Sequence, residues 1–219
     1  MRQLFGLGLA LATGLVSTTA LAKEEAAPTV EVSSDDGFGL SLGLRAGFAL
    51  PLGEVSKDSS MSDSFHGAIP FQLDALYRVT PNIGVGLYLS YGMVMPNKDN
   101  LPSGADASGS WLKYGVQARY RLSPEATSTP WFGLGIGMES VTTTVSGNGR
   151  SVDTSLSGLE FARIMAGYDF AVANEFSVGP FVDFSLGQYS SMEVAGVSAD
   201  IEKSMHQWLF LGVHGNYDL

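Results

Sequence analysis

Residues 82–94, "NIGVGLYLSYGMV", contain the clearest indication of the fold in the chain. Their odd positions are apolar from Ile83 to Met93, whereas the positions between them are glycine, serine or a single tyrosine. This two-residue period predicts a β-strand with one apolar face, because successive side chains of a strand point to opposite sides. Such a face packs either into a protein core or against lipid, and the rest of the chain has to distinguish the two.

The N-terminus has the pattern of a cleaved export signal. Arg2 precedes an apolar run from Leu4 to Val16, and Ala20 and Ala22 occupy the small-residue positions of a cleavage site. We therefore predict a signal peptide over residues 1–22 and a flexible, acidic periplasmic lead-in over residues 23–36. The folded domain is expected over residues 37–219.

Composition excludes several classes of protein. The chain has no cysteine, so export is not accompanied by a disulfide framework. Removal of Arg2 with the signal peptide leaves 11 basic against 22 acidic residues, a net charge of −11. Such acidity argues against nucleic acid as a partner, since binding to phosphates needs clustered Lys and Arg. No later segment approaches 18 uninterrupted apolar residues, so no transmembrane helix is expected.

Eight segments share the two-residue period and are long enough for a tilted strand to cross a hydrocarbon layer, which takes about 9–11 residues. The predicted strands cover residues 38–50, 68–79, 83–94, 111–122, 131–142, 158–170, 176–188 and 205–219. Long connections (52–67, 95–109, 143–155 and 189–204) alternate with short ones (80–82, 123–130 and 171–175). An even number of antiparallel strands puts both termini at the end with the short connections, which is periplasmic in a transmembrane barrel.

The polar faces of the strands favour a membrane barrel over a soluble one. A lipocalin-like barrel would alternate equally well, but with its apolar face inward and with Lys, Glu and Thr on its wet exterior. The polar face of the first strand instead carries mostly glycine and serine around Arg45. Small residues suit the crowded interior of an eight-stranded barrel, and the rigid guanidinium of arginine suits a buried carboxylate. The sequence thus predicts an all-β, eight-stranded antiparallel up-and-down transmembrane β-barrel.

With polar faces inward, the lumen acquires charged groups of both signs. The predicted lumen-facing charge network consists of Arg45, Asp74, Arg78, Lys113, Arg119, Arg121, Glu139, Arg163, Asp169 and Asp183. The sixth strand alternates imperfectly, and we assign its even positions to the lipid side because the other register would expose Arg163 near mid-membrane, at about 2–4 kcal/mol. That register places Glu160 outward near the outer rim and Phe161 inward.

Aromatic side chains mark both the lumen and the predicted periplasmic rim. Six inward rings fill volume and favour a plugged lumen: Tyr88, Trp111, Phe161, Phe181, Trp208 and Phe210. Amphipathic rings prefer the membrane interface, so outward rings near the short connections predict a girdle there. The predicted periplasmic girdle consists of Phe38, Tyr77, Tyr120, Phe132, Tyr168, Phe170, Phe176 and Tyr217.

These features together resemble the small outer-membrane β-barrels of Gram-negative bacteria, such as the transmembrane domain of outer membrane protein A, the opacity proteins and outer membrane protein W. The resemblance covers residues 37–219. The last strand, "HQWLFLGVHGNYDL", is similar to the C-terminal assembly signal of that family, but it ends in Leu219 instead of phenylalanine and Gly215 interrupts its apolar row. The resemblance implies outer-membrane lipid, lipopolysaccharide and the assembly machinery as partners of a monomer in the cell outer membrane.

The sequence contains little that predicts catalysis. The letters "GLSLG" at 39–43 match a nucleophile motif, but Ser41 lies mid-strand with no helix behind it. His206 and His214 are eight residues apart on one strand face, too far along the lumen for a shared metal. A lipid A deacylase of similar size uses a His-x-Ser pair near its C-terminus, where this chain has His214-Gly215-Asn216. We expect no enzyme, cofactor or metal.

Two functional hypotheses remain open. The first is a non-enzymatic barrel with a structural or surface-interaction role through its four long extracellular connections. The second is a narrow channel or transporter for small solutes, with the lumenal charges setting its selectivity.

Overall fold

The structure is a computed structural model that describes residues 39–56, 59–99, 101, 104–147, 149–200 and 204–219. The predicted signal peptide, the lead-in and Phe38 lie outside the described residues. No helix in these ranges is long and apolar enough to cross a membrane.

Eight long strands form a closed antiparallel ring. They are β1 (Gly39–Ser56), β2 (Phe65–Arg78), β3 (Ile83–Pro96), β4 (Asp106–Arg121), β5 (Ser128–Gly147), β6 (Arg150–Ala173), β7 (Phe176–Val194) and β8 (Met205–Asp218). Each strand pairs with the next, and β8 pairs with both β7 and β1. Opposite β1, for example, Ser41 is paired with Asp218 and Gly53 with His206. The predicted eight-stranded up-and-down barrel is confirmed.

The exterior of the ring is apolar and its interior is polar. Along β3, Leu87 is 61% exposed whereas its neighbour Tyr88 is 2% exposed. The same alternation runs along β1, where the leucines from Leu40 to Leu52 are exposed and Arg45 is fully buried. A band of exposed apolar side chains around a closed sheet is the arrangement that lipid stabilises, because every backbone group is already hydrogen-bonded within the ring.

A β-bulge in β6 overturns two predicted side-chain directions. Gly137 of β5 pairs with Glu160 and Gly135 pairs with Arg163, so β6 contains one extra residue between these pairs. The bulge changes the phase of the alternation, and both Glu160 and Arg163 are buried inside while Phe161 is exposed outside. The predictions of an outward Glu160 and an inward Phe161 are therefore wrong, because they assumed one uninterrupted register along the strand.

Three of the four predicted long connections are largely built of strands. β5 continues to Gly147 and β6 begins at Arg150. A side-chain hydrogen bond links these two extensions, in which Thr144 donates to Asp153 at 2.7 Å. After β7, a short strand, Val197–Asp200, folds back along it. The Ser- and Thr-rich sequence reads as loop by composition, but its β-branched residues fit a strand that extends beyond the membrane. Only the connection between β3 and β4 remains mostly irregular in the described residues.

An apolar stopper closes the end of the barrel opposite the chain termini. Between β1 and β2, a two-residue strand (Ser59–Ser60) leads into a single helical turn, α1 (Met61–Ser64), capped by the Ser60 hydroxyl. We call Val55, Met61 and Phe65 the apolar stopper. All three are buried, and they belong to one hydrophobic cluster with wall residues that include Trp111 and Trp208.

Candidate functional site

The interior below the stopper is the most chemically distinctive part of the molecule. The structure places eight of the ten residues predicted for the charge network in fully buried positions: Arg45, Asp74, Lys113, Arg119, Glu139, Arg163, Asp169 and Asp183. The other two, Arg78 and Arg121, are partly buried at the end that holds the termini. The network is organised in three layers along the barrel axis.

The outer layer is centred on Lys113. Its ammonium group lies 3.0 Å from Oε2 of Glu139 and 3.2 Å from Oε1 of Glu160, and it donates to the hydroxyl of Ser185 at 3.1 Å. The same group is 4.7 Å from the centre of the Trp111 ring, a cation–π contact. One lysine thus bridges two carboxylates, and it does so directly beneath the hydrophobic cluster.

His206 and Tyr88 complete the outer layer. His206 is hydrogen-bonded to Glu139 and stacks on Tyr189 with the ring centres 3.9 Å apart. The hydroxyl of Tyr88 donates to Glu160. These contacts occupy the carboxylate oxygens that the lysine leaves open, as buried charge requires.

The middle layer joins two arginine–aspartate pairs through amide side chains. Nε of Arg45 lies 2.6 Å from Oδ2 of Asp74, and Arg163 donates to Asp183 and, at 2.6 Å, to Oε1 of Gln72. The amide nitrogen of Gln72 donates in turn to Oδ1 of Asp74 at 2.6 Å. The two pairs therefore form one connected network, and its members come from strands on opposite sides of the ring.

The inner layer lies nearest the termini. Arg121 lies 2.9 Å from Asp218 and 3.4 Å from Asp169. Asp169 also accepts from His214 at 2.5 Å and from Asn216 at 3.3 Å. His206 and His214 thus belong to different layers. No group of three or more His, Asp or Glu side chains suited to a metal ion occurs in the described parts of the chain.

The interior charges balance. Among the described residues, six basic side chains (Arg45, Arg78, Lys113, Arg119, Arg121 and Arg163) face six acidic ones (Asp74, Glu139, Glu160, Asp169, Asp183 and Asp218). Sequence reasoning missed Glu160 because of the bulge, and it missed Asp218 because that residue lies in the last polar position of the final strand. The polar partners Gln72 and Gln117 were also missed, although both alternate with apolar residues on β2 and β4.

The packed interior leaves almost no free volume. Beside Lys113 and Arg163 there is an internal void of about 10 Å³, which holds about one water molecule. A vestibule of about 250 Å³ opens at the end with the termini, where Arg121, Asp169 and Asp218 line it. Solvent therefore reaches the inner layer from that end. The middle and outer layers lie between this vestibule and the stopper.

The aromatic residues near this end lie on the outer surface. Tyr77, Tyr120, Phe132, Phe170, Phe176 and Tyr217 are exposed, and Tyr168 is half-buried with its ring centre 4.8 Å from that of Phe170. The hydroxyl of Tyr217 donates to Glu175 at 2.5 Å. These rings surround the rim that carries the short turns.

Comparison with solved structures supports the fold. A major outer membrane protein from Thermus thermophilus is similar over 83% of this chain and 99% of its own, with a TM-score of 0.53 and 12% sequence identity. The chain has the fold of the small outer-membrane β-barrels. The outer membrane protein OprG from Pseudomonas aeruginosa gives a TM-score of 0.48 at 14% identity, over 84% of this chain and 99% of that one. The attachment invasion locus protein of Yersinia pestis also gives 0.48, at 13% identity, over 82% and 99%.

No protein-family model and no curated protein sequence matches the chain. The closed ring, its apolar exterior and the shared fold place this outer-membrane β-barrel in the cell outer membrane, as the sequence predicted. By the topology of such barrels, the short turns and the termini face the periplasm and the stopper faces outward.

Proposed function

We propose that the protein is a non-enzymatic, non-conducting outer-membrane barrel with a structural and surface-interaction role. The observation that carries the proposal is the filled lumen, in which three ion-paired layers and the apolar stopper leave voids of about 10 Å³. A path for solutes needs a continuous bore, and the strand extensions beyond the membrane offer surface for contacts. Lipid and lipopolysaccharide are the proposed partners of the apolar band. The outer-membrane assembly machinery is the proposed partner of β8.

The charge network has a structural role in this proposal. A barrel coated by lipid cannot place its polar residues outside, so its interior is polar and each charge needs a partner there. Arginine and lysine that reach across the lumen tie together strands that are not neighbours: Arg163 on β6 donates to Gln72 on β2, and Lys113 on β4 meets Glu160 on β6.

Single-channel recording in planar bilayers tests the proposal. The purified protein is expected to leave the bilayer silent across a range of voltages, because the ion-paired layers and the stopper fill the lumen between the vestibule and the outer side in the described part of the chain. Discrete openings whose conductance changes with Arg119→Ala would reject the proposal in favour of the channel hypothesis, because Arg119 lies between the vestibule and the middle layer and donates to Asn216 at 2.9 Å.

A further inference from the structure

The strands that extend beyond the membrane form a sheet with two unlike faces. We call it the outer sheet: it consists of the ends of β5, β6 and β7 together with the strand Val197–Asp200. One face continues the lumenal side of the barrel, where Val141 is paired with Leu156 in the hydrophobic cluster. Farther out, that face carries four exposed valines in adjacent positions: Val145, Val152, Val194 and Val197.

The other face of the outer sheet is polar and acidic. Asp153, Glu193 and Asp200 are exposed on it, and neighbouring hydroxyls bind two of them: Thr144 donates to Asp153, and Ser198 donates to Glu193 at 3.3 Å. The alternation is that of a sheet with one face packed and one solvated, yet the apolar face has no covering layer among the residues described. Val197 is 74% exposed.

The outer sheet also has an open edge. Val197–Asp200 pairs with β7 on one side and with no other strand in the described part of the chain. Two residues close its hairpin, Ala195 and Gly196, with φ of 50° and 84°. In a hairpin closed by two residues, the pair beside the turn exchanges hydrogen bonds, so the backbone groups of Val197 and Ala199 point to β7. Those of Ser198 and Asp200 then point away from β7, and no strand within the described part of the chain pairs with them.

We propose that this edge binds an extended segment of a partner protein in which apolar and basic residues alternate. The added strand would receive backbone hydrogen bonds from Ser198 and Asp200, as in recognition by strand addition. Its apolar residues would cover the valine face beside Val197, and its basic residues would meet Glu193 and Asp200 on the other face. The inference rests on the proposed surface-interaction role and names the chemistry of its partner.

Charge favours a basic partner over a second copy of this chain. Two outer sheets joined edge to edge would bring the Asp200 and Glu193 groups of both copies to one junction, and like charges placed opposite each other destabilise a sheet. The full chain also has a formal net charge of −10. A basic segment gains from the same charges that oppose self-association.

The test measures peptide binding to the full barrel in nanodiscs of zwitterionic lipid, which removes attraction to anionic lipid. The probe is a fluorescent eight-residue peptide that alternates lysine and valine. The first control is a peptide of the same composition written as Lys-Lys-Val-Val repeats, which cannot present one apolar and one basic face. The second alternates glutamate and valine. Anisotropy titrations at matched salt are expected to rank the alternating lysine peptide first.

Two protein variants examine the edge and the charge separately. Ser198→Pro removes one outward N–H and is expected to weaken binding of the lysine peptide roughly ten-fold. Asp200→Lys combined with Glu193→Lys is expected to reverse the preference toward the glutamate peptide. Asp99→Lys is the matched control, since it changes an exposed acid in another connection and is expected to leave binding unchanged.

Equal binding of the alternating and repeat peptides, or binding indifferent to Ser198→Pro and to the charge reversal, overturns the inference. A silent planar bilayer together with that result would leave the closed-barrel proposal standing and reject only strand addition. Heat-dependent gel mobility of each variant verifies that the barrel is folded before binding is measured.

Discussion

At the scale of single residues, Arg45 is the side chain on which the middle layer most depends. It is fully buried, pairs with Asp74 at 2.6 Å, and has its guanidinium carbon 5.2 Å from the centre of the Trp131 ring. Its amino group also donates to Oε1 of Gln117 at 3.4 Å. A buried pair of this kind adds modest net stability, but removal of Arg45 takes the closest cation from Asp74 and leaves the longer 3.5 Å contact with Arg119.

Replacing Arg45 with alanine is therefore expected to lower the free energy of unfolding by about 3–5 kcal/mol. The double variant Arg45→Met with Asp74→Leu is expected to recover part of that loss, because the Asp74 carboxylate is removed together with its closest cation, while Arg119 loses its contact with Asp74 but keeps its hydrogen bond to Asn216. Urea unfolding in lipid vesicles, followed by tryptophan fluorescence, measures both. Equal losses in the single and double variants would contradict this account of the network.

Glycine at position 137 makes room for a ring of the network. A Cβ added there would overlap the hydroxyl of Tyr88 and the backbone oxygen of Tyr114. Gly137→Ala is thus expected to displace Tyr88 from Glu160 and to destabilise the barrel by about 1–3 kcal/mol in the same urea assay. Gly84→Ala is the control, since the nearest atom to its added Cβ is 3.6 Å away, and it is expected to be tolerated. Comparable losses at both positions would reject the steric explanation.

At the scale of elements, the β6 bulge determines which charges meet. The extra residue lets Glu160 and Arg163, three apart in sequence, both point into the lumen. Glu160 supplies the second carboxylate of Lys113, and Arg163 supplies the partner of Asp183. An unbroken strand could place only one of them inside, and the other would face lipid.

The apolar stopper is the second element that matters for function. The Phe65 ring lies 6.2 Å from that of Trp208, which in turn meets Trp111 edge-on at 4.9 Å. Phe65→Ala is expected to open this cluster to solvent, so that acrylamide added outside oriented vesicles quenches tryptophan fluorescence more strongly. Val152→Ala, an exposed change on the outer sheet, is the control. Unchanged quenching in Phe65→Ala would show that the stopper does not seal the outer end.

At the scale of the whole molecule, the barrel reverses the usual arrangement of a soluble protein. Charged groups fill the centre and leucines cover the outside, because the surrounding lipid dissolves apolar side chains and cannot hydrogen-bond polar ones. The outer sheet is different, since it extends beyond the lipid into water. The same alternation of side chains there leaves valines exposed to water on the face that continues the lumenal side.

Two substitutions on exposed apolar positions separate these environments. Leu87→Arg is expected to cost about 2–4 kcal/mol, because Leu87 lies in the middle of the lipid-facing band. Val152 is likewise an apolar residue on the outside of the molecule, 47% exposed, but its surroundings are aqueous. Val152→Arg is therefore expected to change the free energy of unfolding very little. Unfolding free energies in lipid vesicles measure the difference. Equal effects at the two positions would mean that one of them has been assigned to the wrong environment.

Local alternation in the sequence is enough to predict the number of strands, the ring and the direction of the apolar face. The alternation in β3 and its repetition in seven other segments can be read without knowing which strands are neighbours. The inward direction of residues such as Arg45, Arg119 and Asp183 follows from the same period, since a strand in lipid has a strong energetic preference for one register.

Three other features are instead properties of the closed ring. They are the bulge in β6, the pairing of the interior charges, and the length to which the strands continue beyond the membrane. Glu160 and Arg163 are both inward because β6 has an extra residue between their pairs with Gly137 and Gly135, and Asp218 becomes a partner of Arg121 only when the last strand closes the ring. The Ser- and Thr-rich segment after Val141 is a strand because its neighbour continues beside it. Each of these depends on contacts between residues far apart in sequence, which a local period does not encode.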